Sequence, residues 1–213
     1  MILQIVFFST GINFIKEYEK KALQKPARFS LISDGIDTGL LYYRNPFSKY
    51  FVIEFYNKIT KNEIVTRAIL KYSDIYNIPL GMAFAIALTE SGFNIKAINY
   101  NSDTIDRGLF QLNNTSFPKL KEKDFYNPDI NAKNGLEYLR KCIDEHNDTT
   151  IALAMYNAGA YRVEKKGTPL VTLKYISHIR NRQDKIEEKF RKEIELPGFT
   201  KAMISSINGK VFK

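Results

Sequence analysis

The sequence predicts an α+β fold that is mostly α, with one small β or irregular element between a buried helix and the later helices. Three observations carry this. Ile64, Val65, Ala68, Ile69, Tyr72 and Ile75 recur at helical spacing, as do Ala132, Leu136, Leu139 and Ile143. The stretch Leu80 to Thr89 is apolar almost throughout, as expected of a helix buried on all sides. The segment from Asn99 to Arg107 breaks the helical pattern with Asn99, Asn101, Ser102, Asp103 and Asp106, residues of turns and short strands.

The elements follow in order. Lys16 to Lys25 reads as a charged helical segment, closed by Pro26 and the turn signal Asp34-Gly35. Tyr50 to Tyr56 is aromatic and fits helix or strand. Thr60 and Glu63 have the spacing of a capping box and lead into the first apolar face. Pro79 starts and Gly92 stops the buried helix. A third helix carries Ala132 to Ile143, a fourth Ile151 to Tyr156, and a long fifth Leu173 to Phe190. Three regions result: an N-terminal segment over 1–59, a main domain over 60–190 and a basic peripheral tail over 191–213.

Composition bounds the function. A chain of 213 residues with 44% hydrophobic residues buries one substantial core. The net charge of +9 and a pI of about 9.4 imply an anionic partner such as nucleic acid, anionic lipid or cell wall. Basic residues are interspersed with acidic ones, as in Glu187-Glu188-Lys189, so nucleic acid is not the expected partner. Cys142 is the only cysteine, which rules out an intramolecular disulfide, and its spacing with Leu139 and Leu136 makes it a small core residue. The two histidines, His146 and His178, are far apart and suggest no metal site. Met1 to Phe8 is apolar and is followed by Ser9, Thr10 and Gly11, which fits a short export signal over 1–11 or a buried N-terminal segment. No positive charge precedes the apolar run, and the first is Lys16.

Glu90 ends the apolar helix and opens Glu90-Ser91-Gly92-Phe93-Asn94. A carboxyl group there faces low dielectric and the negative end of the helix dipole, and both keep it protonated toward neutral pH. That state suits a general acid. The plainer alternative is a solvated helix-end residue. Two strings downstream decide for the first reading: Gly108-Leu109-Phe110-Gln111-Leu112 and Ala154-Met155-Tyr156-Asn157-Ala158-Gly159.

In that order the three strings resemble the catalytic domain of the soluble lytic transglycosylases, lysozyme-fold enzymes that cut bacterial peptidoglycan. The resemblance spans roughly residues 61–179. It implies a lysozyme-like fold, no cofactor, peptidoglycan glycan strands as substrate, a monomer in the cell envelope or periplasm, and a possible association with envelope machinery. It also implies cleavage of the MurNAc–GlcNAc bond by a single carboxyl, Glu90, which gives a 1,6-anhydro end. Gln111 and Phe110 match the floor of the sugar site, Tyr156 and Asn157 the helix-end pair beside the acid, and Tyr175 the late tyrosine that reaches it. Core packing is the alternative for both tyrosines. Ser91 and Asn94 are expected to be structural, at a helix end and the following turn.

Asp106 lies two residues before Gly108, where animal lysozymes carry their second carboxylate. It is either that group, which would make the protein a hydrolytic muramidase, or a turn residue paired with Arg107 or its own backbone. A wall-binding protein without activity is the remaining alternative.

Overall fold

Tyr56 and Phe84 stack with centroids 4.0 Å apart, and Phe55 meets Phe190 edge-on at 5.1 Å. These rings join three helices that are distant in sequence, and the core grows from there. The computed structural model describes residues 37–195, which fall in one compact unit. The charged segment of residues 16–25, the apolar start over 1–11 with its two alternative readings, and Pro197-Gly198 lie outside the described residues.

Helices α1 (Thr38–Arg44), α2 (Lys49–Thr60) and α3 (Glu63–Ile75) precede α4 (Leu80–Ser91). Strands β1 (Ile98–Tyr100), β2 (Ile105–Arg107) and β3 (Leu112–Asn113) form an antiparallel sheet in sequential order. Helices α5 (Glu122–Phe125), α6 (Pro128–His146), α7 (Thr149–Ala158), α8 (Ala160–Lys166) and α9 (Leu170–Phe190) follow, and a π turn over Arg191–Glu195 extends the last. The mostly helical architecture with a small central sheet is the one anticipated.

Local chemistry explains most boundaries. Asn62 caps α3, its side chain accepting from the N–H groups of Ile64 and Val65. The expected capping box is therefore displaced. Thr60 is the last residue of α2, and its hydroxyl bonds the Asn62 backbone and Thr66 instead. Tyr50 to Tyr56 is helical, within α2, and buries Val52, Phe55 and Tyr56. Because α1 and α2 join the core, the compact body reaches back beyond residue 60. It also runs past 190, since Ile194 of the π turn is buried. On α3, Val65, Ala68, Ile69 and Tyr72 face the core, whereas Ile64 and Ile75 are 70% and 59% exposed. Those two sit at the edges of the apolar stripe, where periodicity overreaches.

Helix α4 is the central element. Leu80 to Ala87 are all buried, as the uniform apolarity required. Gly92 ends it at φ +60°, a left-handed conformation in which glycine carries no Cβ penalty. Its main partner is α9, which runs antiparallel to it. At one end of this pair the Glu187 carboxylate sits on Gly81, where a Cβ would come within 2.6 Å of Oε1. Farther along, Arg182 Nη1 donates to Thr89 Oγ1 at 2.7 Å. At the other end α9 reaches Glu90.

Candidate active site

The geometry of α4 and α9 brings Glu90 and Tyr175 together. The Tyr175 hydroxyl donates to Glu90 Oε1 at 2.5 Å, joining residues far apart in the chain. Burial pushes the Glu90 carboxyl up to about 7, and the negative charge of Asp106 adds to the shift. The Tyr175 hydrogen bond opposes both by favouring the carboxylate. Burial likewise pushes Tyr175 and Tyr156 well above the ordinary phenol range, with the nearby Glu90 charge the next cause, so both remain O–H donors.

The turn from Gly108 to Gln111 links the site's elements through its backbone. Gly108 adopts φ +78°, and a Cβ there would lie 2.0 Å from the Phe125 carbonyl oxygen, so only glycine fits. Ser91 Oγ, at the end of α4, donates to the Leu109 carbonyl at 2.8 Å. The Phe110 N–H donates to Asn131 Oδ1 on α6 at 2.7 Å, and the Phe110 carbonyl accepts from the Tyr156 hydroxyl on α7 at 3.0 Å. Asn131 Nδ2 donates in turn to the carbonyls of Arg107 and Phe125. The three strings singled out in the sequence are thus bonded to one another: the first to the second through Ser91, the second to the third through Tyr156.

The other anticipated residues take different places. Gln111 sits at φ +47° and spends both amide hydrogens on the carbonyls of Ala97 and Gly108, so it braces the turn and has no N–H to offer a ligand. Phe110 is fully buried. Its ring lies against Gly135 of α6, so it packs in the core where the resemblance implied the floor of the sugar site. Asn157 is exposed at the end of α7, and its Oδ1 accepts from the Thr172 hydroxyl of α9 at 2.9 Å. Ser91 and Asn94 are structural as expected, Asn94 Oδ1 accepting the Lys96 N–H in the following turn. Cys142 is a buried core residue.

Asp106 neither pairs with Arg107 nor bonds its own backbone among the described hydrogen bonds. Strand register aligns Asn99, Asp106 and Asn113 in one row across the sheet. Asp106 Oδ1 accepts from Asn113 at 2.7 Å, and Oδ2 accepts from Asn101 at 2.9 Å and Asn99 at 3.4 Å. Both carboxylate oxygens are occupied by amides. Arg107 lies instead over the Phe125 ring, 5.8 Å from its centroid.

Sequence reasoning did not single out Asn131, Thr172 or the asparagines around Asp106. Asn131 had a signal: it shares helical spacing with Gly135, Tyr138 and Cys142, a polar residue in an inward stripe. The asparagines had none, because only strand register brings them to one carboxylate.

The transglycosylase SLT domain family model matches residues 67–172. Two curated relatives, Protein IpgF of Shigella flexneri and Protein IpgF of Shigella sonnei, are each 30% identical over 103 residues, which is 45% of this chain and 68% of theirs. No solved structure matches the chain. The matched stretch contains Glu90, Gly108 to Gln111 and Tyr156-Asn157, and it ends three residues before Tyr175.

Proposed function

The chain belongs to the transglycosylase SLT domain family, and on that premise we propose that it is a peptidoglycan lytic transglycosylase with Glu90 as its general acid and base. The observation that carries the reading is the Glu90 carboxyl, held up to about 7 by burial and touched by the Tyr175 hydroxyl. Near neutral pH a substantial fraction is protonated and ready to donate.

Glu90 protonates the glycosidic oxygen between MurNAc and GlcNAc. The C1–O bond breaks, its electron pair stays on the leaving oxygen, and positive charge develops at C1 and the ring oxygen. The Glu90 carboxylate then takes the proton of the muramyl C6 hydroxyl, and O6 closes onto C1 to give the 1,6-anhydro end. No water is consumed and Glu90 ends protonated, ready for another turnover. Tyr175 orients the carboxyl and steadies its charged form between the two steps. Tyr156 and Gln111 hold the Gly108–Gln111 turn as one wall, and Asn157, tied to Thr172, forms the edge of another. The reading assigns the activity to the compact body that contains residues 60–190, in the cell envelope or periplasm, in a monomer acting on glycan strands without a cofactor. Among the described residues no helix is long and apolar enough to cross a membrane.

A hydrolytic muramidase using Glu90 and Asp106 is the competing reading, favoured by the electrostatic reach of Asp106 to Glu90. Its requirement is a free carboxylate oxygen at the cleaved bond, and three amides compete for those oxygens. Mass spectrometry of the muropeptides released from purified sacculi separates the two. We expect 1,6-anhydro ends, at least about a hundredfold less release by Glu90→Gln, and substantial release by Asp106→Asn. Reducing ends, together with an inactive Asp106→Asn, would transfer the assignment to the hydrolase.

A further inference from the structure

On the side of the molecule formed by α6 and α8, Glu145, His146 and Glu164 present metal-ligating atoms that all lie within 4.8 Å of one another. We propose that these three side chains bind one divalent transition-metal ion, with zinc the best match, and that the ion clips α8 to the end of α6. The inference stands apart from the proposed catalytic reading and uses none of its residues.

The donor chemistry selects the metal. One imidazole nitrogen and two carboxylate oxygens form a three-ligand set of the kind zinc accepts, with a water completing the tetrahedron. Magnesium and calcium require six or more oxygens and are poorly served by an imidazole. The two carboxylates balance the charge of the ion. His146 Nε2 and Glu164 Oε1 are 3.6 Å apart. Two ligand atoms on a tetrahedral zinc with bonds of about 2.0–2.1 Å lie about 3.3 Å apart. That pair therefore needs a shift of only a few tenths of an ångström, and the exposed Glu145 already has its ligand atom within 4.8 Å of the other two.

Placement in the fold adds a second argument. His146 is the last residue of α6, at the negative end of the helix dipole, which favours a bound cation. The turn before it is anchored in the core by Cys142 and Ile143, so two ligands project from a fixed support. The third comes from α8, which contains no buried residue and is bounded by Gly159 at φ +84° and Gly167 at φ +77°. Its attachment to the core rests on the partly buried Ala160 and Val163. A bound ion supplies to α8 a link that apolar packing does not. The sequence reading expected no metal because His146 and His178 are far apart in the chain and no Cys or Asp cluster accompanies them. Only the fold delivers Glu164.

The test uses the full chain, freed of metal by chelation and titrated with zinc chloride, followed by calorimetry and by melting temperature. We expect one zinc per chain and a melting temperature raised by about 5–10 °C at a hundredfold excess over Kd, with no response to magnesium. Glu164→Gln and His146→Asn should each weaken zinc binding at least tenfold while melting like the wild type in zinc-free buffer. Absence of zinc binding by the wild type would overturn the site. So would an affinity unchanged in both variants, because the ion would then be held elsewhere.

Discussion

Glu90 and Tyr175 form a coupled pair, and the coupling gives each a measurable signature. The Tyr175 hydrogen bond lowers a carboxyl that burial raises. Tyr175→Phe removes that opposition, so the Glu90 pKa moves further up. Activity that needs protonated Glu90 should then persist to higher pH in the variant, even though its maximal rate falls. The rate of muropeptide release measured against pH checks this, and an unshifted alkaline limb would refute the coupling. Stability carries the same information. Because the folded-state value is raised, from 4.5 in the unfolded chain to about 7, the stability linked to this group is full below pH 4.5 and lost as pH rises through 7. Glu90→Gln does not titrate. It should be about 3 kcal/mol more stable than the wild type at pH 8 and gain little at pH 4, as measured by urea unfolding. At this scale the sequence disclosed the buried, raised carboxyl, since Glu90 follows ten nearly unbroken apolar positions. It did not disclose the surroundings of Asp106, because the spacing of Asn99, Asn101 and Asn113 along the chain carries no sign that strand pairing aims them at one carboxylate.

Among the elements, α4 and α6 show the two ways in which a sequence reveals a helix. Helix α4 was legible end to end: Pro79 starts it, Gly92 stops it, and its composition states its burial. Helix α6 was legible in its apolar face, but Asn131 was not recognised as the post that holds the Gly108–Gln111 turn. Its three hydrogen bonds go to the N–H of Phe110 and the carbonyls of Arg107 and Phe125, none of them local to its own helix ladder. Asn131→Ala strands these groups in a buried setting at about 1–3 kcal/mol each. We expect a melting temperature lower by roughly 10 °C and reduced release per folded molecule, because Gln111 loses its fixed turn. A thermal melt within a degree or two of the wild type would show that the turn stands without it. Helices α1, α5 and α8 escaped the sequence reading for a simpler reason. Each spans two turns or fewer, too short for an apolar period to repeat.

Across the molecule, the α4–α9 pair holds a raised carboxyl at either end. Burial pushes Glu187 up to about 7, as it does Glu90, and Asp37 lies close enough to add to the shift. Glu187 touches Gly81 at the opposite end of α4 from the proposed site. Glu187→Gln should therefore add about 3 kcal/mol of stability at pH 8, with the gain fading toward pH 4.5 and sacculus digestion unchanged at neutral pH. A stability gain independent of pH would mean that Glu187 is not the titrating group. The order of chain assembly follows from the same pair. Ser91 meets Leu109 across a separation of 18 residues, Tyr156 meets Phe110 across 46, and Tyr175 meets Glu90 across 85. Contacts that close longer loops carry more entropy cost and form later. Until α9 docks, the end of α4 stays open to water and Glu90 titrates as an ordinary carboxylate, ionised at neutral pH and unable to donate a proton. On the proposed reading a nascent or half-folded copy is for that reason inert, and wall cutting begins only once the last long helix is in place.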